Sequence, residues 1–86
     1  MRLDLFLKHS RLVLRRTVAK EMCDAGAVKV NGQRSKASHE VKAGDLLSVR
    51  QRGRITTVKV LTVPTKQTSK KDAASLYEPI GVESLE

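Results

Sequence analysis

Aromatic residues are almost absent from this sequence. Phe6 and Tyr77 are the only two among 86 residues, and there is no tryptophan. Proteins that bind single strands without sequence preference stack the bases on aromatic side chains, and Phe6 lies where we expect the core. The composition therefore excludes an aromatic stacking platform. A nucleic-acid partner would be bound through its backbone and shape, as in folded RNA or a duplex.

Cysteine is equally scarce. Cys23 is the only one, so no disulfide can form within the chain, and a reducing compartment is expected. Its position in a helical apolar pattern predicts a small core residue. His9, His39 and Cys23 lie singly, without the short paired spacings of structural zinc sites, so we expect no metal and no other cofactor.

Long apolar runs are missing as well. None approaches the length of a membrane span, and Asp4, Lys8 and Arg11 interrupt the N-terminus before the core of a signal peptide could form. We expect a cytoplasmic protein that does not enter membranes.

The sequence also contains no convincing catalytic constellation. Ser10, Ser35 and Ser38 lack both a strand-turn-helix elbow and an assigned base. Asp4 and Asp24 are more simply explained as partners of neighbouring cations on a helix face, and the glycines form no phosphate loop. The sequence therefore predicts a protein that is not an enzyme.

What is abundant is positive charge. The formal net charge is +8, and residues 1 to 71 hold all 17 Lys and Arg against five acids, while residues 72 to 86 hold four acids and no base. The first 71 residues alone carry +12. Such a body favours a polyanionic partner, because neutralising phosphates releases counterions. Nucleic acid is the leading interpretation, and an anionic membrane surface is the alternative.

Two helices are predicted in the N-terminal part. Within residues 2 to 9, Leu3, Phe6 and Leu7 form one apolar face, with Asp4 turned away. Residues 10 to 16 read as a connector. Thr17 is a good N-cap for a second helix over residues 18 to 25, with Gly26 at the C′ position. The predicted apolar stripe of this helix consists of Val18, Met22 and Ala25, and Ala19 and Cys23 flank it.

The pattern then changes to that of strands. Val28 and Val30 alternate with polar residues and lead into Asn31-Gly32, a strong hairpin signal. Residues 35 to 45 are irregular, with a second turn at 43 to 45, and residues 46 to 50 and 55 to 63 should pair antiparallel across 51 to 54. We predict an α+β fold, with two N-terminal helices on one side of a small antiparallel sheet of three or four strands.

Residues 1 to 63 are predicted to form the domain, and 64 to 86 a linker with a short C-terminal tail. Ser69 and Asp72 have capping-box spacing, and residues 73 to 77 could form one or two helical turns. The acidic remainder to Glu86 is expected to be mobile.

The placement of cations before the second helix needs a reason. Arg15 and Arg16 lie where the helix dipole disfavours positive charge, but the same place offers free N–H groups and two guanidinium forks to a phosphate. Lys20 extends this surface, and Arg2 would join it if the helices pack together. We expect Arg16 outside the core, so that its substitution leaves the fold intact. A basic face that only aids solubility is the alternative.

Five short motifs stand in order along the first half of the chain: Arg-Leu-Asp at 2–4, Arg-Arg-Thr at 15–17, Asp-Ala-Gly at 24–26, Val-Asn-Gly at 30–32 and Val-Lys-Ala-Gly-Asp at 41–45. Together they resemble the alpha-L motif, the RNA-binding domain named after a small-subunit ribosomal protein. The resemblance implies RNA binding, and we expect the motif to act alone, without a catalytic domain after it.

Among stand-alone forms of this motif, the chain looks most like the RqcP family of bacterial ribosome-associated quality control, including the "SKKDAASLY" segment. This resemblance implies binding to the split large ribosomal subunit, with large-subunit ribosomal RNA, peptidyl-tRNA and an RqcH-type tailing factor as partners during alanine tailing of stalled chains. A monomer is expected. Carried over by position, the RNA-binding residues are Arg2, Arg11, Arg15, Arg16, Lys20 and Lys36.

Two other functions remain open from the sequence. One is an accessory factor that binds ribosomal RNA during large-subunit recycling or assembly, as expected of the related heat-shock ribosome-binding protein. That relative has a longer basic C-terminal extension, whereas this sequence ends in acidic residues, which favours the RqcP interpretation. The other is a regulatory subunit of a separate RNA-modifying enzyme.

Overall fold

A computed structural model describes residues 1–64 and 73–84. Two helices, α1 (Leu3–His9) and α2 (Arg16–Asp24), precede four strands: β1 (Val28–Val30), β2 (Gln33–Arg34), β3 (Leu46–Gln51) and β4 (Arg54–Val60). A 3₁₀ turn (Ala73–Leu76) then leads into strand β5 (Tyr77–Ser84). The five strands form one antiparallel sheet in the order β2-β1-β3-β4-β5, with the two helices against it. The predicted α+β class is confirmed.

The sheet buries one face of alternating side chains against the helices. Val28 and Val30 of β1, Leu47 of β3 and Val58 of β4 are at most 4% exposed and join Phe6 of α1 in a single core. The alternation is the period-two pattern of a strand with one buried face. The helices therefore cover one side of the sheet.

The turns follow the sequence closely. Val30 pairs with Gln33 across Asn31-Gly32, both of which have positive φ, so that β1 and β2 form the predicted two-residue hairpin. The Asn31 side chain also accepts the Leu46 N–H at 3.0 Å, and it donates to Asp45 at 3.2 Å. This links the hairpin to the turn at 43 to 45.

The second helix differs from the prediction in its start and in its buried face. It begins at Arg16, and its N-cap is Arg15, without a side-chain capping bond, so Thr17 is not the N-cap. Ala19 and Cys23 are its buried residues, whereas Val18 is 40% exposed. Small side chains at the contact allow α2 to approach α1 closely, and this packing overrides the choice that periodicity favoured.

The prediction of a mobile acidic tail is wrong for residues 78 to 84, which join Tyr77 in one ordered segment. This segment is strand β5 and pairs along the whole of β4, from Val60–Tyr77 to Arg54–Ser84. Leu76, just before it, is 4% exposed, and its carbonyl accepts the Leu61 N–H at 2.9 Å. One helical turn at 73 to 76 agrees with the prediction. The capping pair Ser69 and Asp72 and the C-terminal Glu86 lie outside the described residues.

Candidate nucleic-acid interface

Two arginines share one buried carboxylate at the junction of α1 and α2. Arg2 Nε lies 3.3 Å from Asp4 Oδ1, and Arg16 Nε lies 3.3 Å from Asp4 Oδ2. Asp4 is 1% exposed, whereas the side chains of Arg2 and Arg16 are 46% and 47% exposed. The carboxylate therefore fixes both guanidinium groups from below and leaves part of each at the surface. We call Arg2, Asp4 and Arg16 the arginine cluster.

The chain around Asp4 is held in place by the 37–41 segment. The Leu3 N–H donates to the His39 carbonyl at 2.7 Å, and the Asp4 N–H donates to the Ala37 carbonyl at 3.2 Å. Asp4 Oδ1 in turn accepts the Leu5 N–H at 2.8 Å. These hydrogen bonds hold the start of α1, which carries the arginine cluster, against the 37–41 segment.

The prediction that Asp4 turns away from the core is therefore wrong. A buried carboxylate is stable only when it is paired and hydrogen-bonded, and Asp4 meets both conditions through Arg2, Arg16 and the Leu5 N–H. Arg16 thus has a structural partner twelve residues away that its own local pattern does not indicate. The finding also makes Asp4 a positioning residue for the two arginines, a role that no short motif revealed.

The N-terminus of α2 adds to the same surface. Arg15 is the N-cap, no acidic residue stands in the first turn, and the first N–H groups of a helix have no intrahelical partner. Lys20 is exposed four residues after Arg16, which places it on the same side of the helix. The predicted proximity of Arg2 to the start of α2 is confirmed by their shared partner Asp4.

The two remaining predicted residues, Lys36 and Arg11, lie outside the arginine cluster. Lys36 is exposed and immediately precedes Ala37, whose carbonyl accepts the Asp4 N–H. Arg11 lies in the connector between the helices and lines a separate groove rather than the arginine cluster. The structure therefore brings Arg2 and Arg16 together through Asp4, extends them by Arg15 and Lys20, and sets Arg11 apart.

The described residues offer neither a metal site nor a membrane-spanning helix. Within residues 1–64 and 73–84, no three His, Cys, Asp or Glu side chains come together as metal ligands would. In the same part of the chain no helix has the length and apolarity needed to cross a membrane.

Cys23 is buried in α2, as predicted, and its pKa is raised to about 11, first by burial and then by the charges of Asp4 and Asp24. The unfolded chain should lose this proton near pH 9.0, whereas the folded chain keeps it. Between pH 9 and 11 the folded state binds more protons than the unfolded state. The contribution of this thiol to the free energy of unfolding is therefore fully present below pH 9 and falls as pH rises, by at most about 1.4 kcal/mol per pH unit.

We expect the replacement Cys23→Ala to remove this part of the alkaline destabilisation. Chemical unfolding of the wild type and of C23A between pH 7 and 10.5 would measure it. The difference between their free energies of unfolding should shrink or change sign as pH rises. Parallel curves over the whole range would contradict the raised pKa. Because the thiol stays protonated, Cys23 should also react slowly with alkylating reagents at pH 8.

Comparison with known proteins agrees with the geometry. Residues 1–47 match the S4 domain family. The chain is 49% identical over 86 residues to the RQC P-site tRNA stabilizing factor of Bacillus subtilis, covering 99% of this chain and 98% of that protein. It is 45% identical over 86 residues to the factor of the same name from Streptococcus pneumoniae, covering 100% and 97%.

A solved structure resembles the fold closely. The trimeric structure of Vibrio cholerae heat shock protein 15 superposes with a TM-score of 0.85 at 30% identity, covering 92% of this chain and 80% of that one. The relatives thus include both factors named for stabilizing the P-site tRNA and a heat shock protein 15.

Proposed function

The chain belongs to the S4-domain family of RQC P-site tRNA stabilizing factors, and we propose that it binds the split large ribosomal subunit and holds a peptidyl-tRNA there during alanine tailing of stalled chains. Its partners are then large-subunit ribosomal RNA, the peptidyl-tRNA and an RqcH-type tailing factor. The protein acts without chemistry of its own, as a cytoplasmic, ribosome-associated monomer, and the ribosome forms the peptide bonds.

The arginine cluster is the observation that supports this function most. A guanidinium fork binds phosphate oxygens with two parallel bonds, and Asp4 already orders both forks while leaving them about half exposed. Side chains that are ordered in advance lose less entropy on binding. The cluster is therefore suited to grip an RNA backbone at a defined position.

We assign RNA binding to the cluster and the cations around it. Arg15, the first turn of α2 and Lys20 extend the surface along the helix, Lys36 is exposed beside Ala37, and Arg11 contributes from the separate groove. All of these residues lie within positions 1 to 63, which we propose as the RNA-binding unit. Residues 73–84 complete its sheet.

The proposed mechanism is positional. Peptide transfer requires the peptidyl-tRNA and the incoming aminoacyl-tRNA to meet in a reactive geometry, and holding reactants in place can remove a large part of such a barrier. On a split subunit the tRNA lacks the contacts of the other subunit. An arginine cluster that binds the RNA backbone next to the peptidyl-tRNA would restore the orientation of that tRNA.

A second candidate is a large-subunit recycling or assembly factor that has no part in tailing. The likeness to heat shock protein 15 favours it. The end-to-end match to two factors named for the P-site tRNA, covering 98% and 97% of their lengths, supports the first function more strongly.

Sedimentation of ribosomes from the host separates the two functions. We expect the protein on split large subunits that carry tRNA, and we expect alanine tails on stalled nascent chains to disappear when it is deleted while the tailing factor remains. Enrichment on precursor particles, with tailing unchanged in the deletion strain, would exclude the proposed function and favour the assembly factor.

A further inference from the structure

A groove lies between the α1–α2 connector and the β3–β4 hairpin, beside the arginine cluster. It encloses about 620 Å³, within the range of sites that hold small organic ligands. Four arginines and two apolar side chains matter for its chemistry: Arg11, Arg15, Arg52, Arg54, Leu14 and Val18. Within the described part of the chain, no acidic side chain lines it.

Two of these arginines occupy backbone positions that disfavour them. Arg11 follows the end of α1 with φ of 66°, where glycine is usual, and Arg52 is the first residue of the two-residue turn between β3 and β4 with φ of 54°, where asparagine, aspartate or glycine is usual. Both therefore hold a left-handed conformation that is unfavourable for a long side chain. Strained residues of this kind cluster at functional sites.

Two apolar side chains at the groove are exposed to water. Leu14 is 72% exposed and Val18 is 40% exposed, although both belong to a short chain with a small core. Contact with the phosphates of a duplex would give no reason for apolar residues here. A flat apolar ring such as a nucleobase would cover both side chains and remove their surface from water.

The two walls of the groove are tied together by a specific hydrogen bond. Gln51 Nε2 donates to the Leu12 carbonyl at 3.0 Å and ties the connector to the end of β3. Val13, between Leu12 and Leu14, is 4% exposed and anchors the connector in the core. The two walls are thus fixed before any ligand arrives.

We propose that this groove binds one unpaired nucleotide of RNA, with the base against Leu14 and Val18 and the adjoining phosphates on Arg11 and Arg52. Bases that leave a stack in RNA loops are commonly recognised in this way, and an arginine plane can stack on the base as an aromatic ring would. The inference rests on RNA being the partner, as in the proposed function. Arg15, which lines the groove, stands next to Arg16, so one strand could meet both sites.

The test uses substitutions that suit the backbone and remove the contact. Arg11→Gly and Arg52→Asn each place a favoured residue at a left-handed position, so the double variant R11G/R52N should keep or raise its melting temperature. Its affinity for pentauridylate should fall about tenfold or more at 100 mM salt. The matched control K42Q/K59Q loses the same charge from exposed positions outside the groove and should lose less than about threefold.

The position of the base is read from methyl resonances. Adding pentauridylate to the wild-type chain should shift the signals of Leu14 and Val18, and inorganic phosphate alone should not. Equal losses of affinity in R11G/R52N and K42Q/K59Q would overturn the proposal. Tighter binding of hexaglutamate than of pentauridylate, measured by displacement of the oligonucleotide, would also overturn it. The groove would then suit an acidic peptide.

Failure of the groove and failure of the proposed function give different results. If the wild-type chain sediments with split large subunits but R11G/R52N binds pentauridylate as the control does, the groove assignment is wrong and the function stands. If the wild-type chain does not sediment with split large subunits while the methyl shifts appear as expected, the groove assignment stands and the proposed function is wrong.

Discussion

Replacing Arg2 and Arg16 together with alanine is expected to weaken association with the large subunit strongly and to abolish the restoration of alanine tails in a deletion strain. Two guanidinium groups would be lost from the arginine cluster, and with them two phosphate contacts. The slope of log affinity against log salt should become shallower by about 1.4 to 1.8, from the coefficients for single-stranded and duplex nucleic acid. Titration of purified large subunits at several salt concentrations would measure it.

The same double variant leaves Asp4 buried without a cation. Removing the partners of a buried charge is strongly destabilising, by about 3 to 5 kcal/mol, so loss of function alone would not show that the arginines contact RNA. The triple variant R2A/D4N/R16A removes the stranded charge, and the amide oxygen of the new side chain could still accept the Leu5 N–H that Asp4 accepts at 2.8 Å. It should melt well above the double variant and yet bind large subunits as weakly as the double variant does.

Two outcomes would decide against the contact model. Recovery of subunit binding in the triple variant would mean that the arginines act by stabilising the junction of α1 and α2. Equal loss in the charge-matched K42Q/K59Q would mean that net charge, rather than the cluster, determines affinity. The expected result is that the control binds and restores tails.

The local parts of this fold could be predicted because each follows from a short pattern. The apolar face of α1, the Asn31-Gly32 turn and the alternation in β1 depend on neighbours within a few residues. The cations at the start of α2 were found in the same way. The carboxylate that Arg16 shares with Arg2 was not found, because Asp4 becomes buried only when Arg16 and the 37–41 segment pack over it.

The buried face of α2 shows a second limit. Val18 and Met22 form as good a helical stripe as Ala19 and Cys23, and larger side chains are usually the better guide to a core. Packing against α1 instead buries the small residues Ala19 and Cys23 and leaves Val18 40% exposed, while Met22 packs partly buried against the core. The tertiary contact therefore decides which part of the apolar side of α2 is buried, and periodicity alone does not.

Strand β5 was missed for a different reason. Pro79 and Gly81 are poor strand formers in isolation, and acidic residues near a chain end favour an interpretation as a mobile tail. The strand lies at the edge of the sheet, where proline is tolerated, and a register shift between Thr57 and Val58 accommodates its pairing with β4. The segment is ordered because it pairs with β4, and no local pattern within the segment indicates that pairing.

Truncating the chain after Lys71 is therefore expected to unfold it, rather than to remove a dispensable tail. The variant loses β5 along the full length of β4 and also loses Leu76, which is 4% exposed in the core. Loss of a buried leucine side chain alone removes about 2 to 5 kcal/mol, comparable with the whole stability of a small domain. Circular dichroism during heating should show no cooperative transition near that of the full chain.

The full-length variants L76A and E78Q/E83Q separate the causes. L76A should lower the melting temperature by removing the core contact alone, whereas E78Q/E83Q keeps the strand and should melt like the wild type, since both glutamates are exposed. If E78Q/E83Q binds subunits but restores no tails, the acidic strand contacts a partner. If the chain ending at Lys71 melts like the full chain, β5 is not part of the fold in solution, and the unpaired edge of β4 then needs another cover.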